Sequence, residues 1–333
     1  HGMSWCEMAL VRSNDTERFQ PSMTVSLDGV CGSSNGSGML SAPVATPTPT
    51  VDDDDEGGHD TPAGAPHWGY LGDQGPANWG TLHADWKICA SGIKQSPVNI
   101  NVGNAETSGE ASNVANAGSV DNQAADKMLL AENFIDISKK LPGNQYSDRV
   151  KVTHNGHAIT CAGTQGYFKH AGKDWKLLQY HFHTPSEHSV SGRLYAAEIH
   201  FVHQDFNGNY LVVGVFVDSG VAPFATAFAD VLADFPVSPV QGSKPLRFDY
   251  TQALHEMLGV SPSNAVLAKN TTVPYFTYEG SFTTPPCTEG VTWVVLEKPI
   301  SFADAHIDKL KSAMGDNNRP TQPLGSRSIK KFT

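Results

Sequence analysis

Between residues 150 and 296 the chain is a succession of short runs of β-branched and aromatic residues set off by Gly, Pro and Asn, a texture that leaves few folds open. The runs at 150–153, 177–183, 196–203, 210–217 and 291–296 have the length and composition of strands. Helical patterning is confined to 224–232, 251–258 and 302–314, the last with Ser301 as its expected N-cap. No internal repeat interrupts the pattern. The expected architecture is a single mainly β domain of the α+β kind. A large twisted, mostly antiparallel sheet forms its centre, with helices at the margins.

That domain is expected over residues 66–331. Residues 1–65 read differently: a Gly/Ser stretch at 32–38, a Thr-Pro run through Pro47 and Pro49, and the acidic run 52–56 mark a partly disordered extension and linker. Residues 103–126 are rich in Ala, Asn, Gly and Ser and are expected to form a surface insertion. The net charge of −11 argues against a nucleic-acid partner, which requires clustered Lys and Arg. No apolar run reaches the roughly 18 residues of a membrane-spanning helix. With His1 first and no leader-like segment, the expectation is a leader already removed or a trimmed chain. Asn14, Asn35 and Asn270 begin glycosylation sequons. Cys6, Cys31, Cys89, Cys161 and Cys287 contain no Cys-x-x-Cys pattern, which disfavours a cysteine zinc site.

The chemistry is carried by histidines. Along a strand, residues i and i+2 share a face, so Gln179, His181 and His183 point one way and Tyr180 and Phe182 the other. On the next strand Glu198, His200 and Val202 align in the same manner. The polar, Pro- and Gly-containing stretch 184–195 between them suits a turn joining antiparallel neighbours. Three imidazoles then converge from adjacent strands, leaving zinc's fourth position open, as in catalytic rather than structural sites. Gln179 and Glu198 each precede a candidate ligand by two residues, where they can accept its second ring N–H and fix its orientation.

With these residues in place, the chain resembles the α-class carbonic anhydrases over most of 67–331. The matching stretches are His67-Trp-Gly-Tyr70, Lys94-Gln-Ser-Pro-Val98, Asn155-Gly-His-Ala158, Gln179-Tyr-His-Phe-His183, Ser186-Glu-His188, Ala197-Glu-Ile-His-Phe-Val-His203, Tyr278-x-Gly-Ser-x-Thr-Thr-Pro-Pro286 and Arg319-Pro-x-Gln-Pro-Leu324. The resemblance implies reversible CO2 hydration to bicarbonate by a zinc-bound hydroxide. It places the Zn2+ ligands on His181, His183 and His200, supported by Gln179, Glu198 and a backbone carbonyl near Asn317. It places the hydroxide-orienting hydroxyl on Thr283, bonded to a buried Glu187, and the proton shuttle on His157. The CO2 pocket falls on Val202, Val212, Phe282 and Trp293, with Thr284 at its rim; Phe282 stands where the family more often has Leu. Tyr70, Asn155 and Thr160 fall on the polar side. Sulfonamide-type inhibitors are implied as ligands.

Zinc lowers the pKa of bound water towards neutrality, an effect for which carbonic anhydrase is itself the known example. A Thr283 hydroxyl that donates to Glu187 can only accept from the hydroxide, which makes Glu187 an orienter rather than a base. His157 is expected to titrate near neutrality and, following Gly156, to swing between inner and outer positions. Secreted relatives in this class often join the positions of Cys89 and Cys287, which implies an oxidising, secretory compartment. For the other cysteines the expectation is a Cys6–Cys31 pair with Cys161 free on the face of His157; the alternative pairs Cys161 with Cys6 or Cys31. Two rivals remain. One is a cupin-type metal enzyme with Glu187 as a ligand; the other is a non-catalytic binding or matrix protein on an anhydrase scaffold.

Overall fold

The computed structural model describes residues 67–102, 114–116, 129–130, 134–135, 149–163, 167–170, 173–259 and 272–332. All belong to one compact unit, Asp54–Thr333. The extension, the three sequons and the expected Cys6–Cys31 pair lie outside the described residues.

The period-two runs become the strands Arg149–His154, Lys173–His183, Ala197–Gln204, Tyr210–Ser219 and Glu289–Leu296, shifted or extended by a few residues. Among the described residues they join a 13-stranded sheet. Its path runs Ser243–Arg247, Arg149–His154, Ile159–Ala162, Lys173–His183, Ala197–Gln204, Tyr210–Ser219, Glu289–Leu296, Tyr275–Ser281, Ile329–Phe332 and Val114–Asn116. Most neighbours are antiparallel. The central exception is Tyr210–Ser219, which pairs in parallel with Glu289–Leu296 and with Ile300–Phe302. A parallel return needs a long crossover, and the chain from 220 to 288 provides one, carrying the helices Ala229–Asp234 and Tyr250–Leu258.

Within the expected surface insertion, Val114–Asn116 extends the sheet edge by pairing in parallel with Ile329–Phe332. Two expectations are corrected. Ser301 caps no helix: it sits in the strand Ile300–Phe302, and Asp304–Met314 begins after Ala303 without a side-chain cap. The helix expected at 224–232 shrinks to Ala229–Asp234. Upstream of it, the Ala225 N–H donates to Ser301 O and the Thr226 N–H to Glu256, so tertiary partners hold that backbone in a loop.

The sheet is covered on both faces, which explains why Ala197–Gln204 is buried along nearly its whole length. Tyr180, Phe182, Ile199 and Phe201 enter a large core with Phe228 and Leu232. Their alternates Val202, Val212 and Trp293 enter a smaller cluster with Tyr278. Each fully buried large side chain contributes roughly 1.5–3 kcal/mol, so a one-residue slip that exchanged the faces would be strongly disfavoured. Among the described residues no helix is long and apolar enough to cross a membrane.

Candidate metal centre

Register builds the site. The antiparallel pairing of Lys173–His183 with Ala197–Gln204 sets His200 opposite His181 and Glu198 opposite His183. A register shift between Val202 and His203 falls just past these pairs, so it leaves them in phase. The ring centroids of His181, His183 and His200 lie 4.6–5.3 Å apart. One ligand atom from each falls within 4.8 Å of the others.

The outer nitrogen of each ring is tied to an acceptor. His181 Nδ1 lies 2.9 Å from Gln179 Oε1, His183 Nδ1 2.8 Å from Asn317 O, and His200 Nε2 2.9 Å from Glu198 Oε1. A nitrogen facing an acceptor carries the proton, so each neutral ring keeps a lone pair on its other nitrogen. Burial, followed by the neighbouring His183 and His200, holds His181 well below the ordinary imidazole range. Burial also lowers His183. Its Nε2 is buried without a hydrogen-bond partner. Such an atom costs about 1–3 kcal/mol unless something engages it. Three imidazoles, each tied to an acceptor at one nitrogen and gathered at the other, fit a zinc ion with an open coordination position.

Glu198 serves more than His200. Its Oε1 also accepts from His188 Nδ1 at 2.7 Å, and its Oε2 accepts the N–H groups of Glu187 and His188 at 2.9 and 2.8 Å. Burial opposes its charge, but His188 and His200 overcome this and hold the carboxyl well below its ordinary range. On its other side, His188 Nε2 lies 2.7 Å from the Tyr278 hydroxyl, and Tyr278 lies 2.9 Å from Ser96 Oγ. Sequence reasoning assigned no role to His188, Tyr278 or Ser96. Their motifs were visible, but a contact spanning 182 residues has no periodicity to reveal it.

Glu187 is fully buried beside the histidines. Its Oε1 accepts the Arg319 N–H at 2.8 Å. Its Oε2 lies 3.5 Å from His183 Nε2 and 3.8 Å from His200 Nδ1, with no hydrogen-bond partner. The expected bond from Thr283 to that oxygen is therefore not formed in this structure, where one carboxylate oxygen is held by backbone and the other faces imidazoles. Thr283 is buried in a loop closed by Phe282 N–H to Thr288 O and Cys287 N–H to Thr284 O.

His157 stacks on Trp68, with centroids 3.7 Å apart and planes 9° apart, and its centroid lies 6.1 Å from that of His67. Burial, then His67 and His154, lower its pKa to about 4, which corrects the expectation of near-neutral titration for this position. Cys161 does not share its face. It is unpaired and buried in the large core with Ile159, because strand alternation starts only at Ile159 while His157 belongs to the preceding turn.

Asn155 Oδ1 accepts the N–H groups of His157 and Ala158, and its Nδ2 reaches Thr160 Oγ1 at 3.5 Å. Thr160 pairs with His181 across the strands. The Tyr70 hydroxyl is buried without a hydrogen-bond partner, and burial, then Glu187, raise its pKa well above the ordinary phenol value. Val202, Val212 and Trp293 gather on the His200 side, Trp293 with its ring 4.8 Å from that of His200. Phe282 packs on the same cluster, edge-on to Tyr210, and Thr284 is half-buried nearby.

Cys89 and Cys287 form a disulfide packed on Trp79. Beside it, the buried Arg319 guanidinium donates to Cys89 O, Ser96 O and Gln95 Oε1. Sequence reasoning gave its side chain no role.

A family model described as eukaryotic-type carbonic anhydrase matches residues 74–333. The chain belongs to the α-carbonic anhydrase family. A carbonic anhydrase of Neisseria gonorrhoeae is 32% identical over 269 residues, covering 79% of this chain and 87% of that protein. One from Nostoc sp. is 31% identical over 264 residues, covering 79% and 85%. Among solved structures, the α-carbonic anhydrase of Thermovibrio ammonificans, in complex with the inhibitor sulfanilamide, superposes with a TM-score of 0.60 at 35% identity, covering 80% of this chain and all of that one. This carbonic anhydrase is thus an enzyme of a family that hydrates CO2, and the cupin-type reading gives way.

Proposed function

We propose that this carbonic anhydrase interconverts CO2 and bicarbonate at a zinc ion held by His181, His183 and His200. The observation that carries the reading is the tying of all three outer ring nitrogens to acceptors, which leaves three lone pairs converging and His183 Nε2 buried without a partner. A zinc ion bound there would supply a hydroxide nucleophile near neutral pH, an effect for which carbonic anhydrases are the known example. Gln179, Glu198 and the Asn317 carbonyl keep the three rings in the tautomer that leaves those lone pairs free.

The remaining residues orient and exclude. Val202, Val212, Phe282 and Trp293 offer CO2 an apolar wall that holds water off one side, with Thr284 at its rim. Glu187 Oε2 has no hydrogen-bond partner and would be the acceptor for the Thr283 hydroxyl. Once Thr283 donates there, its oxygen can only accept, which selects one orientation of the attacking group. Stacked on Trp68, His157 is a weak base; swung off the indole, its imidazole would regain ordinary basicity, take up the released proton and pass it outward, with Tyr70, Asn155 and Thr160 on the polar side of the path. The Cys89–Cys287 bond supports a secreted protein or another oxidising lumen, where Asn14, Asn35 and Asn270 would be open to glycosylation. The sulfanilamide complex of the Thermovibrio ammonificans relative supports sulfonamide binding here.

Metal analysis of the purified protein tests the site. Stoichiometric zinc, lost in His183→Ala, is expected. Iron or manganese in its place, or zinc retained in that variant, would overturn the ligand set.

A further inference from the structure

Asn317 is fully buried, and its side chain does something its backbone carbonyl does not. The carboxamide Nδ2 donates to Phe182 O and to His157 O, each at 3.0 Å, while Oδ1 accepts the Thr184 N–H at 2.7 Å. The orientation of the amide is decided by these partners, since flipping it would set oxygen against two carbonyls and NH2 against an N–H. The main chain adds an N–H to Thr184 O at 3.0 Å and the carbonyl that accepts from His183 Nδ1. One residue therefore grips the end of the His183 strand on both sides and reaches across to the turn of His157.

We propose that the Asn317 carboxamide is a positioning residue for proton exit, clamping the His157 turn at a fixed distance from the strand end that carries His183. The inference rests on the reading of His157 as the proton relay. Two further polar anchors of this hairpin come from the same stretch of chain: His154 Nε2 meets Ala313 O at 3.1 Å, and the Ile159 N–H donates to Met314 Sδ at 3.2 Å. A thioether is a weak acceptor, and His154 lies on the far side of Gly156, whose φ of +89° makes the turn sharp. Of these three anchors from outside the turn, the carboxamide hydrogen bond to His157 O is thus the one made at the relay residue itself.

Asn317→Asp keeps the size, the backbone carbonyl and an acceptor for Thr184, but removes both N–H donors. In dilute buffer kcat for hydration is expected to fall roughly tenfold, kcat/KM by much less, and added imidazole to restore most of the loss. Deuterium uptake at 155–159 is expected to rise in the metal-free protein as well as in the zinc form. Equal falls in kcat and kcat/KM with zinc lost and no rescue by imidazole would overturn the proposal, as would an unchanged kcat. Thr184→Val, which removes the 2.9 Å hydroxyl bond to Gly315 O, loosens the same loop and is expected to give a smaller version of the same split if Asn317→Asp does not fold. His157→Ala is measured alongside. An unchanged kcat in that variant sinks the relay reading itself, whereas a fall there without one in Asn317→Asp sinks only the clamp.

Discussion

Gly214 lies directly opposite His200 across the Ala197–Gln204 and Tyr210–Ser219 strands, and a Cβ at Gly214 would stand 3.0 Å from Glu198 Oε1. That oxygen accepts from both His200 and His188, so the missing side chain is the space in which the carboxylate sits. Gly214→Ala is therefore expected to displace Glu198, costing about 1–3 kcal/mol of stability by overpacking and roughly 10–100-fold in zinc affinity through the disturbed partner of a ligand. Thermal unfolding and competition with a chelator would measure the two. An alanine variant with unchanged zinc affinity would show that Glu198 has slack.

His157 sits against Trp68 with a pKa of about 4, and burial is the leading cause. Removing the indole in Trp68→Ala exposes the ring, so its pKa should rise towards the ordinary value of about 6.5. The sign for stability follows. Between pH 6.5 and 4 the unfolded wild-type chain binds a proton at this position that the native state refuses, so native stability falls as pH drops through that window. In Trp68→Ala this part of the acid sensitivity should shrink. Proton NMR of the ring gives the pKa, and melting temperatures at pH 7 and pH 5 give the linkage.

The disulfide joins residues 198 apart in sequence. Closing so long a loop restricts the unfolded chain, and replacing Cys89 and Cys287 by serine is expected to lower unfolding stability by about 3–5 kcal/mol in the chain-entropy picture. Urea titration would show it as a lower midpoint. The wild-type protein in strong reductant should match the double variant, and a midpoint insensitive to both changes would contradict this contribution.

What was legible in the sequence had a local period. His181, His183 and His200, with Gln179 and Glu198, follow from i, i+2 alternation on two adjacent strands, and the structure keeps them in register. The parallel pairing of Tyr210–Ser219 was not legible, because it depends on a crossover of some seventy residues whose path no local pattern encodes. Ser301 looked like a helix cap by residue type, but Ile300–Phe302 pairs with Val217–Ser219 and tertiary pairing prevailed. The side-chain roles of Asn317 and Arg319 were invisible for a related reason. Each joins loops far apart in sequence, and only the folded chain brings their carbonyls together. His157 was identified by its neighbours in sequence, yet its lowered pKa comes from burial, then His67 and His154, and the Trp68 it stacks on and His67 reach it from the start of the domain.

The central claim is that CO2 hydration depends on a metal at His181, His183 and His200. Stopped-flow hydration of CO2 should be followed on the purified protein, after zinc removal by a chelator, and after zinc is restored. The account predicts that activity falls in step with zinc content and returns with it. Unchanged hydration by a verified zinc-free preparation, or no hydration by the fully zinc-loaded protein, would contradict it.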